Sequence, residues 1–101
     1  MHILLTGCTG FVGKFVLKEL LERSSKLTQI TCLFRAKKSQ SIKERWDNYI
    51  NDSLFLYSDL SGVSIKEGDL DNLNSITWDE NKQPDLIVHC AANVKTLDPY
   101  P

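Results

Sequence analysis

The chain has 101 residues, 42% of them hydrophobic and 25% charged, with a formal net charge of −1. That is the composition of one small soluble domain or a piece of a larger one, long enough to bury a usable core. Near-neutral charge gives no electrostatic reason to expect nucleic acid or an anionic membrane as partner, and charges and glycines break the N-terminal apolar run well short of a membrane span or a signal peptide, so the expected location is cytoplasmic.

His2-Ile3-Leu4-Leu5 reads as a short apolar strand, and Gly7-Cys8-Thr9-Gly10-Phe11-Val12-Gly13 follows it and leads into a helical pattern. A strand, a glycine turn and a helix start together make a site for a dinucleotide's pyrophosphate. The first helical turn carries unpaired N–H groups and a partial positive charge, and glycines let the backbone turn sharply and approach a ligand without a Cβ in the way. The spacing Gly-x-x-Gly-x-x-Gly differs by one residue from the Gly-x-Gly-x-x-Gly of dehydrogenases. A P-loop needs four residues between its glycines, then Lys and a hydroxyl residue. Here five residues separate Gly7 from Gly13, and Phe15 stands where the hydroxyl belongs, so Gly13-Lys14 is a chance echo. The plain alternative is a tight turn with no ligand; three features further along weigh against it.

The first helix is expected from about Phe11 to Arg23, with Phe11, Val12, Phe15, Val16, Leu20 and Leu21 on one face and Glu19 paired with Arg23. Ser24-Ser25-Lys26 ends it. Gln29-Ile30-Thr31-Cys32-Leu33-Phe34 is a β-branched and apolar second strand. Gln40 to about Leu56 reads as a second helix whose Ile42, Trp46, Tyr49 and Ile50 form a buried stripe; core packing, not base stacking, is the expected role of Trp46 and Tyr49. Val63 to Lys66 alternates as a third strand, and Asp85 to His89, after Pro84, is the fourth. The 68–83 segment is polar, a loop with one helical turn near Ser75 to Trp78. Alternating strands and helices predict an α/β fold with a parallel sheet. Cys8, Cys32 and Cys90 are widely spaced and form no zinc or redox pattern, so packing as small hydrophobes is expected, although Cys8 lies near a helix N-terminus.

Arg35, at the end of the second strand, is the first of the three supporting features. An NAD-specific site places an acid there for the ribose 2′-hydroxyl, but no acid lies between Arg23 and Lys43, and Lys37 and Lys38 follow instead. A guanidinium makes paired, charge-assisted hydrogen bonds with phosphate, which favours a 2′-phosphate and hence NADP(H); a solvated basic loop is the alternative. Second, Asp69 and Leu70 follow Gly68 at the end of the third strand, where a carboxylate can accept from the adenine amino group with Leu70 beside the ring; a simple Gly-Asp turn is the alternative. Third, the fourth strand opens into Cys90-Ala91-Ala92-Asn93-Val94, whose small residues let the main chain pass close to a ligand in the crevice at the strand ends. His89 is expected to be packed and hydrogen-bonded rather than a general base.

With Thr6-Gly7-Cys8-Thr9-Gly10-Phe11-Val12-Gly13, Gly68-Asp69-Leu70 and His89-Cys90-Ala91-Ala92, the chain resembles the extended short-chain dehydrogenase/reductase superfamily. Within it, Cys32-Leu33-Phe34-Arg35-Ala36 and Ala91-Ala92-Asn93-Val94 followed by Pro99-Tyr100 look most like the thioester reductase branch. That branch comprises the terminal reductase domains of peptide synthetases, carboxylic acid reductases and fatty acyl-CoA reductases. Cys90 departs from the Asn common there.

The resemblance implies a partial Rossmann-type, doubly wound parallel sheet over residues 1–101, in strand order 3-2-1-4. It implies that Gly7, Thr9, Gly10, Phe11, Val12 and Gly13 hold the pyrophosphate and Arg35 the 2′-phosphate. Asp69 and Leu70 would take the adenine, and Ala91, Ala92 and Asn93 the nicotinamide ribose side. Such enzymes use NADPH to reduce an acyl thioester on coenzyme A or a carrier protein to an aldehyde, some continuing to the alcohol. Their catalytic Ser/Thr and Tyr-x-x-x-Lys lie beyond the Ala-Ala strand, so these 101 residues are expected to be the N-terminal part of an enzyme and inactive alone. The fourth strand is then expected to present an apolar edge through which copies associate. A sugar-nucleotide epimerase or dehydratase of the same superfamily and a non-catalytic NADP(H)-binding module are the competing readings; Arg35 weighs against the first.

Overall fold

In the computed structural model, residues 1–24, 28–35, 39–68, 76–78 and 82–90 are described. Strands β1 (His2–Thr6), β2 (Gln29–Phe34), β3 (Val63–Glu67) and β4 (Leu86–His89) form one sheet in the expected order, β3-β2-β1-β4. All three pairings are parallel, and their registers align Ile65, Cys32, Leu5 and Val88 in one row across the sheet. Parallel neighbours need crossovers. Helix α1 (Phe11–Arg23) joins β1 to β2, and α2 (Ile42–Ile50) with a 3-10 turn (Ser53–Phe55) lies between β2 and β3. The strand order reverses between β1 and β4, and in open α/β sheets such a switch opens a crevice at the strands' C-terminal ends.

The two central strands are buried on both faces, as continuous apolar runs in parallel sheets are. One face presents Ile3, Leu5, Ile30, Cys32 and Phe34 to the helices, and Leu17, Tyr49 and Phe55 close over it. Phe34, Trp46 and Tyr49 form the expected core group: Trp46 stacks on Tyr49 with centroids 5.7 Å apart, and Phe34 meets both edge-on. The opposite face carries a polar row, with His2 Nε2 sharing a hydrogen bond with Thr31 Oγ1 at 2.7 Å and Thr31 Oγ1 lying 3.0 Å from Ser64 Oγ.

Three expectations need correction. The stripe that α1 buries runs through Gly13, Val16, Leu17, Leu20 and Leu21, while Phe11, Val12 and Phe15 are 81%, 53% and 48% exposed. The contact at Gly13 is backbone against backbone and carries no hydrophobic signal, so the apolar pattern points to a face rotated toward the first-turn aromatics. Helix α2 ends at Ile50 rather than near Leu56. Asp52 ends it: its Oδ1 accepts from the Leu54 amide at 2.9 Å, a local side-chain bond that competes with helix continuation and starts the 3-10 turn. Of the helical turn expected near Ser75 to Trp78, residues 76–78 are described and are not helical. There Trp78 packs edge-on against His2 and beneath the Lys66 ammonium, and Ile76 lies against Gly68.

Other details match the sequence. Glu19 and Arg23 pair at 2.6 Å, Lys18 and Glu22 at 3.2 Å. Ser41 caps α2 by accepting from the Glu44 amide at 3.2 Å. None of the described helices is long and apolar enough to cross a membrane.

Candidate dinucleotide-binding site

The chain leaves β1 at Thr6 and turns at Gly7, whose φ of +72° lies in the left-handed region. A Cβ there would also stand 2.3 Å from the Cys90 carbonyl oxygen, at the end of β4. Glycine is therefore required twice over, by conformation and by the close passage of β4. The Gly10 amide donates back to the Gly7 carbonyl at 3.2 Å and closes the turn. Gly10 is the N-cap of α1, and no side chain caps this helix. That contrasts with α2 and the 3-10 turn, where Ser41 and Asp52 each satisfy an N-terminal amide. The amides of the first turn of α1, with no carbonyl four residues behind them, are left to an external acceptor, and the helix dipole favours an anionic one. Thr9, Phe11 and Val12 are exposed around this end. The loop as folded offers hydrogen-bond donors and a field of the sign that an anionic group needs.

Arg35 is the first residue beyond β2 and is exposed. β2 runs alongside β1, so Arg35 and the glycine loop share the C-terminal edge of the sheet. Gly68 reaches the same edge, donating its amide to the Phe34 carbonyl at 3.0 Å, as does Cys90, bonded to the Thr6 carbonyl at 3.0 Å. Gly7, Thr9, Gly10, Phe11, Val12, Gly13 and Arg35 are thus brought together. Asp69, Leu70, Ala91, Ala92 and Asn93 lie outside the described residues. His89 shares a 2.8 Å hydrogen bond with Thr6 Oγ1 through Nδ1, the bonded role expected of it, although the residue as a whole is exposed.

A family model described as male sterility protein, an NAD-binding domain, matches residues 5–101. The chain belongs to this family. Among curated proteins, members of similar sequence include human fatty acyl-CoA reductase 2, 31% identical over 95% of this chain and 21% of the relative. The L-2-aminoadipate reductase large subunit of Penicillium chrysogenum is also 31% identical, over 97% of this chain and 7% of the relative. Among solved structures, a thiolation-reductase di-domain of an archaeal non-ribosomal peptide synthetase aligns at a TM-score of 0.72 with 33% identity, covering 93% of this chain and 25% of that one. The reductase domain of a Mycobacterium tuberculosis non-ribosomal peptide synthetase aligns at 0.71 with 26% identity, covering 93% and 24%. The chain spans about a fifth of the length of the fatty acyl-CoA reductase it matches. The resemblance to the thioester reductase branch is borne out by these matches.

In this member of the male sterility protein family, the loop is also held from behind by Tyr49, Lys14 and Asp52, none of which the sequence marks as part of a coenzyme site. Tyr49 of α2 donates its hydroxyl to the Cys8 carbonyl at 2.7 Å. Lys14 lies over the Tyr49 ring, 5.5 Å from its centroid, and pairs with Asp52 at 2.9 Å. The Leu54 amide, then the Lys14 ammonium, hold the Asp52 carboxyl below its ordinary pKa. At the Arg35 end, Arg45 of α2 stacks 5.5 Å from the Phe34 ring centroid and donates to the Arg35 carbonyl. A second guanidinium thus stands at the end of β2, ten positions from the first in sequence, and only the helix places it there.

The thiols play the packing role expected. Cys8 and Cys32 are fully buried and Cys90 nearly so, and Cys8 Sγ donates to the Leu33 carbonyl at 3.6 Å. The hydrogen bond that the Cys32 thiol makes to Cys8, then burial, raise the Cys32 pKa; burial, then Cys8, raise that of Cys90. Among the described residues no group of three or more His, Cys, Asp and Glu side chains is placed to hold a metal ion.

Proposed function

We propose that the chain is the NADP(H)-binding part of a reductase that acts on acyl thioesters carried by coenzyme A or by a carrier protein's thiol arm. The observation that carries this reading is the uncapped start of α1, facing a left-handed glycine turn, with Arg35 on the same sheet edge. The names of the relatives, fatty acyl-CoA reductases and reductase domains of peptide synthetases, support the choice of thioester. When bound, NADPH supplies a hydride for the thioester carbonyl carbon, with an aldehyde and the free thiol as products.

The chain's own residues bind and orient. The loop from Gly7 to Gly13 takes the diphosphate on its amides, and Arg35 takes the 2′-phosphate through paired, charge-assisted hydrogen bonds. Asp69 and Leu70 are proposed for the adenine, and Ala91, Ala92 and Asn93 for the nicotinamide ribose side. None of these residues supplies the proton that the departing thiolate or the carbonyl oxygen needs, so the 101 residues alone are proposed to bind coenzyme without turnover.

The test is a coenzyme-oxidation assay at 340 nm on the full-length protein with long-chain acyl-CoA and with an acylated carrier protein. Thioester-dependent loss of NADPH absorbance with release of free thiol is expected. Calorimetry showing no heat with NADPH or NADH would remove the reading.

A further inference from the structure

The glycine loop has an inner side, and there its main chain is gripped by the protein. The hydroxyl of Tyr49 reaches the Cys8 carbonyl at 2.7 Å from 41 positions away in sequence. The residue is 7% exposed, its ring wedged among Phe34, Trp46 and Phe55 with centroids 5.4 to 5.7 Å away. Lys14, held by Asp52, covers it at 5.5 Å. The side chain therefore has little freedom to move, and the direction from which it approaches the loop is fixed by the core.

The Cys8 carbonyl and the Thr9 amide belong to one planar peptide unit, and no peptide bond among the described residues is cis. In a trans unit the C=O and N–H point in opposite directions. A donor that pulls the Cys8 carbonyl toward the core therefore turns the Thr9 N–H away from it, to the exposed side of the loop. We propose that Tyr49 is a positioning residue of the coenzyme site, clamping the Cys8–Thr9 peptide so that the Thr9 amide is aimed at the diphosphate before the ligand arrives. Setting that plane in advance removes an ordering cost from binding. Burial, and then Cys8, push the Tyr49 pKa above its ordinary value, so the hydroxyl remains a neutral donor throughout the physiological range.

This inference rests on the coenzyme reading above, and the experiment separates the two. Calorimetry on the full-length protein compares wild type with Tyr49→Phe for NADPH, NADH and adenosine 2′-monophosphate, which has no diphosphate. The expected result is roughly tenfold weaker binding of both coenzymes, the scale of one hydrogen bond, with adenosine 2′-monophosphate changed less than about twofold. Leu21→Ala thins the core at the end of α1 far from the glycine loop; its unfolding midpoint should fall while coenzyme affinity holds. Unchanged coenzyme affinity in Tyr49→Phe overturns the inference, as does equal weakening of all three ligands or equal weakening by Leu21→Ala. If Tyr49→Phe does not fold, Asp52→Asn frees Lys14 from the ring at a half-exposed site. It should show the same ligand pattern at about a two- to fourfold loss, and unchanged affinity there overturns the inference. A wild-type protein that binds neither coenzyme overturns the coenzyme reading itself, and this one with it.

Discussion

Gly13 lies so close to Gly7 that a Cβ on it would stand 2.0 Å from the Gly7 carbonyl oxygen and 2.6 Å from the Cys8 Cα. Both obstacles are main chain, so no rotamer relieves the clash. The first turn of α1 is pressed onto the loop it follows, and only a glycine permits it. Gly13→Ala should lower stability by about 3 kcal/mol, the upper range for overpacking, and should weaken coenzyme binding because the helix start must back away from the loop. Urea unfolding of the full-length protein measures the first effect; a loss below about 0.5 kcal/mol, ordinary for a surface change, would contradict the geometry.

Arg35 is exposed at the end of β2, with no acid nearby in sequence to serve a ribose hydroxyl. Arg35→Ala should therefore act on one coenzyme only. NADPH binding should weaken by roughly ten- to a hundredfold, the scale of hydrogen bonds to a charged group, while NADH changes little. Calorimetry with both coenzymes reads the selectivity, and an NADPH preference that survives the substitution removes Arg35 from the 2′-phosphate.

How much of this was legible in the sequence depends on which atoms carry each interaction. The strands followed from apolar runs and the parallel sheet from the alternation of strand and helix, both side-chain signals; the strand order came only from the family resemblance. The glycine loop was legible because missing side chains leave their own mark. The face of α1 was misread because the contact at Gly13 is made by backbone, while Phe11 and Phe15 are exposed and stack on each other at 5.2 Å. The Tyr49 clamp was hidden for a related reason. Its spacing is that of a core residue, and its partner is a carbonyl, which every residue has. Arg45 reads as an ordinary charge on a helix; its place beside Arg35 is set by the crossing of α2 over β2, which no local pattern encodes.

The three thiols offer a check on the core around the site. Cys8 and Cys32 have no exposed surface, and the Cys32 and Cys90 pKa values are raised, which reduces the thiolate at any given pH. These cysteines should react with a disulfide reagent at pH 8 only as fast as the protein opens, and promptly once it is denatured. Mass spectrometry of the labelled protein assigns the sites. Rapid, selective labelling of Cys8 in the folded protein would mean that the loop is not clamped against β2.

The Lys14–Asp52 pair makes the back of the site sensitive to pH in a definite direction. The Leu54 amide and then Lys14 lower the Asp52 pKa, so the folded state holds the carboxylate more tightly than the unfolded chain does. Such a group stabilises the fold fully above its ordinary value of about 4 and loses that contribution as pH falls through the depressed folded value. Asn at position 52 can still accept from the Leu54 amide but cannot pair with Lys14. The unfolding midpoint of Asp52→Asn should therefore lie below that of wild type at pH 7, by a margin that shrinks in high salt because the pair is half-exposed. On acidification the two curves should converge as Asp52 takes up its proton. Thermal unfolding from pH 7 to pH 3 tests this, and a gap that widened toward acid would show that Asp52 is protonated in the folded state and that Lys14 is held over the Tyr49 ring by something else.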